Sequence, residues 1–271
     1  MSSLFRFLES SIGRKVLMSL TGLFLCSFLI IHVSGNLQLF NNDEGLAFNQ
    51  YTVFMTTFLP IKIISYLLYA SILLHVWVAL RLTLKNQKAR PVGYKAMKDP
   101  RSSSWASKNM GLLGTIILVF LVTHMANFWY EYKFGNVPWK EYQVDLNSGK
   151  VVGSSFINNA EGVKMTPHES VSANAEGVEI KTIVVRDLYE VVKQAFTQSW
   201  LVVLYLVGMA ALAYHLVHGF QSGFQTLGIR HPSYTPIIRG IGVWIFGILI
   251  PLLFAAMPVY FYFFMNADKN L

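Results

Sequence analysis

The run VLMSLTGLFLCSFLIIHVSGNLQLFNN, Val16–Asn42, carries no charged side chain. A helix needs about 20 mostly apolar residues to cross a bilayer, and this stretch is longer than that. The hydrocarbon part is expected over residues 16–38. Arg6, Arg14 and Lys15 precede it, as they would in a secretory signal. The run is too long for one, however, and it lacks a small-residue cleavage site before its polar end. It reads as a retained membrane span.

Four further segments qualify: residues 58–82, 109–130, 199–222 and 240–264. The 271-residue chain is 54% hydrophobic and 13% charged, whereas soluble domains carry about 25% charged residues. The expected fold is an all-α membrane protein, a single membrane domain over residues 1–271 with five transmembrane helices. The single cysteine, Cys26, excludes an internal disulfide, a thiolate zinc site and a four-thiolate iron–sulfur cluster. The formal charge of +8 does not point to nucleic acid, because the basic residues sit in connections beside the spans.

Those basic residues set the orientation, since cytoplasmic loops are enriched in Lys and Arg. Lys85, Lys88, Arg90, Lys95, Lys98, Arg101 and Lys108 face one acid, Asp99, between spans two and three. Arg6, Arg14, Lys15, Arg230 and Arg239 fall on the same side. The N-terminus is therefore expected in the cytoplasm and the C-terminus outside. The long outer connection, residues 131–195, contains YQVDLNSGKVV (Tyr142–Val152), which reads as a hairpin turning at Asn147, Ser148 and Gly149. DLYEVVKQAF (Asp187–Phe196) has helical apolar spacing and is expected at the interface. Between them a polar stretch is expected to be mobile chain.

Four spans carry one interior histidine each: His32, His75, His124 and His215. An ionisable side chain in hydrocarbon is costly and marks a functional site by default. Four imidazoles on four helices is the count that ligates two haem irons, two to each. At about 1.5 Å of rise per residue, His32 and His124 lie in the outer half of rising spans. His75 and His215 lie in the inner half of descending ones. Depth therefore pairs His32 with His124 and His75 with His215. Small residues flank the ligands: Gly208, Ala211 and Gly219 near His215, Ser71 and Ala79 near His75, Gly35 near His32. These leave room for a flat ligand or for a plain helix contact. His218, three residues past His215, is an alternative ligand or a partner for a haem propionate. His168 and His231 read as solvated. Arg14, Lys15, Arg81 and Lys85 could hold propionates or serve as ordinary cytoplasmic-side anchors.

KVLMSLTGLFLCSFLIIHVSGNLQLF (Lys15–Phe40) resembles the first span of the cytochrome b membrane anchor of succinate dehydrogenases and fumarate reductases, in the single-subunit, five-helix, two-haem form. LLHVWVALRLTLKN around His75, LVTHMANFWY around His124, DLYEVVKQAF, and YHLVHGFQSGFQTLG around His215 extend the resemblance in the family's order over nearly the whole chain. It implies a haem-binding bundle of the first four spans and two haem b groups, the inner on His75 and His215, the outer on His32 and His124. Gly219, four residues past His215, matches the family pattern and favours His215 over His218. The resemblance further implies a flavoprotein and an iron–sulfur subunit docked on the cytoplasmic face, near the basic segment Lys85–Lys108. Electrons would pass between them and a membrane quinone, expected to be menaquinone, in a bacterial cytoplasmic membrane. The dicarboxylate active site would lie on another subunit, so this chain carries no catalytic residue for it.

Quinone chemistry also exchanges protons, and no Asp or Glu occurs within the spans. The family often uses an acid near the start of the second span, where this chain offers only Lys62. Asp43, Glu44 and Glu131 are the outer candidates, although any one of them taken singly reads more readily as a solvated loop acid. Two other readings compete. A two-haem cytochrome b of a hydrogenase or formate dehydrogenase would place its histidines differently. A transporter with a histidine proton relay would need broken helices and intramembrane carboxylates.

Overall fold

The computed structural model describes residue 6 and residues 10–89, 105–157, 165–173 and 177–265. Among the described residues, five helices are long and apolar enough to cross a membrane: Ser11–Phe40, Leu59–Lys88, Met110–Phe134, Ser199–Thr226 and Thr235–Met265. We number them spans one to five. Each matches its expected segment, the second and third starting one residue later than expected. The second runs six residues past its expected end because its polar last turns, with Lys85 and Lys88, continue the helix into the basic connection. Residues 90–104, most of that connection, lie outside the described residues.

The surface of the spans is apolar where a soluble protein would be polar. Tyr66, Leu73, Val122 and Trp244 are 63–72% exposed, large apolar side chains that a bilayer would cover with lipid. Two spans contain wide π-helical turns. In span three the turn Met125–Tyr130 begins immediately after His124. In span five a wide turn, Gly242–Leu249, follows a first turn that starts with a proline near its N-terminus.

The chain groups into two compact units, each assembled from several segments. The first comprises Met1–Val33, Ile63–Leu121 and Val203–Ala256. Inside it, small residues let neighbouring spans approach closely, as is usual between membrane helices. Gly22 of span one lies 3.4 Å (from its would-be Cβ) from the His75 ring of span two. Gly111 of span three faces Thr83 of span two, and Gly208 of span four receives the Phe120 ring of span three. Gly223 of span four faces Leu23 of span one. Span five packs on span four, where Phe220 and Phe246 stack with ring centroids 4.6 Å apart.

The second unit comprises Ser34–Lys62, Val122–Val202 and Met257–Leu271, and so holds one end of every span. It departs from the all-α expectation. Strands β1 (Trp139–Asp145), β2 (Val151–Ile157), β3 (His168–Ala173) and β4 (Glu179–Arg186) form an antiparallel sheet in the order β2-β1-β4-β3. β1 and β2 are the expected hairpin. Its turn is set by the Asp145 carboxylate, which accepts from the Asn147 amide and the Ser148 hydroxyl, and by Gly149 at φ +67°. β3 and β4 occupy part of the stretch expected as mobile chain. β4 earns its place through Ile183, Val184 and Val185, all buried, while β3 is exposed along its whole length and is held by pairing to β4 and by the Glu169–Lys181 ion pair (2.6 Å).

A helix not anticipated from the sequence, Leu46–Thr57, joins spans one and two and packs on this sheet. Leu46 and Val53 sit against Tyr142, Val144, Ile183 and Val185. The turn before it holds Glu44 at φ +55° and Gly45 at φ +88°, with the Tyr189 ring pressed against Gly45. A side chain at position 45 would meet that ring as well as the unfavourable backbone region.

A buried polar hub ties the unit together. The fully buried Asn49 donates from Nδ2 to Asp187 Oδ1 (2.7 Å) and to the Tyr142 hydroxyl (3.0 Å). Its Oδ1 accepts from the Tyr189 amide (3.0 Å). Asp187 caps the helix Leu188–Ala195, accepting from the Glu190 amide, a cap the DLYE sequence favours. Burial pushes the Asp187 carboxyl above its ordinary range despite the Asn49 bond. Burial likewise drives the Tyr142 phenol up, and the Tyr189 phenol to about 12.

Candidate functional site

His75 reaches its place because span two has small neighbours there on span one. Thr21 and Gly22 present one hydroxyl and no bulk to the imidazole. Thr21 Oγ1 lies 3.1 Å from His75 Nδ1, while also donating to the Leu17 carbonyl at 2.8 Å in its own helix. With Nδ1 engaged by the hydroxyl, Nε2 is the nitrogen available to a ligand. The His215 ring of span four lies beside the His75 ring, 6.3 Å between centroids at an interplanar angle of 64°. Gly114 of span three leaves His215 Cε1 3.9 Å from its would-be Cβ. His215 Nδ1 is buried and has no hydrogen-bond partner, a costly state for a polar atom in an apolar interior.

That separation has a chemical meaning. Two imidazoles bound to opposite sides of one metal, at about 2 Å per bond with about 1 Å more to each ring centre, have centroids about 6 Å apart. Among the described residues no group of three or more His, Cys, Asp or Glu side chains gathers to hold a metal ion. A bare ion with two imidazoles would be short of the three protein ligands usual even in an open zinc site. A metal group that brings most of its own donors and would take only these two imidazoles from the protein fits this donor set.

His32 and His124 are placed one in each unit. His32 stacks on Phe28 of its own span (5.0 Å, 17°) and lies 5.4 Å from the Phe254 ring of span five. His124 is the last residue before the wide turn of span three and meets Phe128 edge-on at 5.4 Å. Wide π turns recur next to functional groups because they displace one residue from the regular helical face.

The small residues divide between two roles. Gly208 and Gly35, which the sequence offered as room for a flat ligand, are filled by the rings of Phe120 and Tyr51. An aromatic neighbour on another helix has taken the space. Gly219 has open space where a side chain would project. Thr21, Gly22 and Gly114 were not legible as site residues, because they lie on different helices from the histidines they contact and no periodicity links them.

Among the basic candidates, Arg14 has a buried Nε without a hydrogen-bond partner. Arg81 lies 5.2 Å over the Trp77 ring one turn earlier, and Lys85 donates to the Ser11 hydroxyl at 3.0 Å. Lys15 lends its carbonyl to the Ser19 hydroxyl, and His218 follows one turn after His215, half-buried.

The three outer acids differ in their employment. Asp43 accepts from the amides of Gly45 (3.0 Å) and Ala47 (2.9 Å) and so starts the connecting helix. Glu44 accepts from the Ser154 hydroxyl and pairs with Lys140 at 3.4 Å. The Ser154 bond first, then Lys140, holds its carboxyl below the ordinary range. Glu131 lies in the last turn of span three with its carboxylate against Gly135.

No protein-family model, curated protein or solved structure matches the chain.

Proposed function

We propose that this chain is the two-haem cytochrome b anchor of a succinate:quinone or quinol:fumarate oxidoreductase in a bacterial cytoplasmic membrane. The observation that carries the reading is the His75–His215 pair, 6.3 Å apart on two apolar spans with a hydroxyl on His75 Nδ1. It is supported by the sequence resemblance around all four histidines. In this reading spans one to four form the haem bundle, with His75 and His215 holding the inner haem and His32 and His124 the outer one. Haem iron, when bound, supplies one-electron redox chemistry.

The chain's own residues do the rest. Thr21 fixes the His75 tautomer and ring orientation, the usual task of a hydrogen bond to the far nitrogen of a ligating histidine. Arg14, with its unpartnered buried N–H, is the best placed of the basic candidates to meet a propionate. Asp43 and Glu44 already serve the connecting turn, which leaves Glu131 as the outer acid for proton exchange with a quinone. The basic segment Lys85–Lys108 faces the cytoplasm and docks the iron–sulfur and flavoprotein subunits, with N-terminus inside and C-terminus outside.

The test is reduction by the two substrates. Succinate, or a menaquinol analogue, should reduce haem b in the purified complex of this chain with its partner subunits. A complex that oxidises succinate while its haem stays oxidised would refute the electron-transfer role. Thr21→Val gives a finer check. Removing such a hydrogen bond typically costs 10–100-fold in metal affinity or activity, so the inner haem should be lost on dilution or shift in potential while the outer haem keeps its spectrum.

A further inference from the structure

The sheet's covered face is not covered to its edge. Residues paired across antiparallel strands share a face, so Phe156 of β2, opposite Lys140 of β1, belongs with Tyr142 and Val144 on the side packed against the connecting helix. Along this row Tyr142 is fully buried and Lys140 is 8% exposed, yet Phe156 is 55% exposed. The Lys140 ammonium lies 5.6 Å over its ring.

Within its unit this phenylalanine lies close to the end of span three. Phe156 is one residue from the end of the sheet where Ile157, Trp139 and Arg186 pair. That end is fastened to span three. The Arg186 guanidinium donates to the carbonyls of Tyr132 and Gly135 (3.0 Å to Gly135) and lies 4.9 Å over the Tyr132 ring. Span three itself ends in exposed rings, with Tyr130 at 56% and Phe134 at 68%. Aromatic rings at the ends of spans mark the headgroup level of a bilayer.

We propose that the sheet is seated on the lipid headgroup layer, with the ring of Phe156 in contact with lipid beside the Lys140 ammonium. The inference rests on reading the five apolar helices as bilayer spans and is independent of haem. An aromatic ring with a cation alongside is the amphipathic pairing that suits the boundary between acyl chains and headgroups. The sheet would then stand on the membrane by an edge, with the Asn147–Gly149 turn at the opposite end in water.

The test uses full-length Phe156→Cys and Ser148→Cys chains in nanodiscs, each labelled with an environment-sensitive fluorophore. The native chain is the control for labelling, since its one thiol, Cys26, is buried. With lipids brominated near the headgroup end of the acyl chain, the probe at 156 is expected to lose most of its emission and the probe at 148 to keep it. Equal emission at the two sites would overturn the proposal. So would an unquenched probe at 156 together with disulfide-linked dimers of Phe156→Cys, which would assign the surface to a second copy. A native chain that fails to enter nanodiscs would overturn the span reading and this proposal with it, and shows as absence of disc-bound protein.

Discussion

Replacing His75 with alanine is expected to abolish one of two low-spin haem b signals and leave the other. On the proposed reading the substitution removes one of the two imidazoles that would hold the inner haem, together with the group that Thr21 Oγ1 contacts at 3.1 Å, and leaves His215, 6.3 Å away, alone. His215→Ala should erase the same signal. His32→Ala and His124→Ala should erase the second one and spare the first. The effect is large because a haem with a single protein ligand loses low-spin character as well as affinity. Measured by visible spectra of the purified protein with haem extracted and counted, the four variants should fall into two classes of two. Loss of both signals from His75→Ala in a chain that still folds would contradict the pairing.

The second large effect is expected at a residue with no role in haem binding. Asn49→Ala should loosen the sheet and its connecting helix. It strips Asp187 of its 2.7 Å partner, Tyr142 of a donor and the Tyr189 amide of its acceptor, all inside the unit's core. A buried polar group left unpaired costs about 1–3 kcal/mol, so losing this hub costs on the order of 3 kcal/mol or more. Hydrogen exchange of the β1 and β4 amides should accelerate about a hundredfold, because exchange through local opening reports that free energy directly. Unchanged protection would show that the hub contributes little. The raised Asp187 carboxyl makes the effect larger at higher pH, where the group ionises in a site that has lost a donor.

The parts of this architecture legible in the sequence are those written in local pattern. The spans were legible because hydropathy is a property of consecutive residues, and the β1–β2 hairpin because Asn147–Gly149 is a turn sequence. The helix Leu188–Ala195 announced itself through apolar spacing. β3 did not, since HESVSA is polar, exposed and stabilised by a neighbour rather than by burial. The connecting helix LAFNQYTVFMTT shows no clean polar face, because Leu46, Phe48, Asn49 and Thr52 are all buried against other elements. The site divides in the same way. The histidines stand out as single polar residues in apolar runs, whereas Thr21 at His75 and Asn49 at Asp187 are contacts between residues far apart in the chain. Nothing in one sequence links such pairs.

The two-haem assignment is tested most directly by a potentiometric titration of the haem spectrum of the purified full-length protein, with haem counted per chain. Two haem b per chain are expected, titrating as two components, with the component missing from His75→Ala also missing from His215→Ala. A preparation without low-spin haem b absorption, or one whose spectrum is untouched by either substitution, would contradict it.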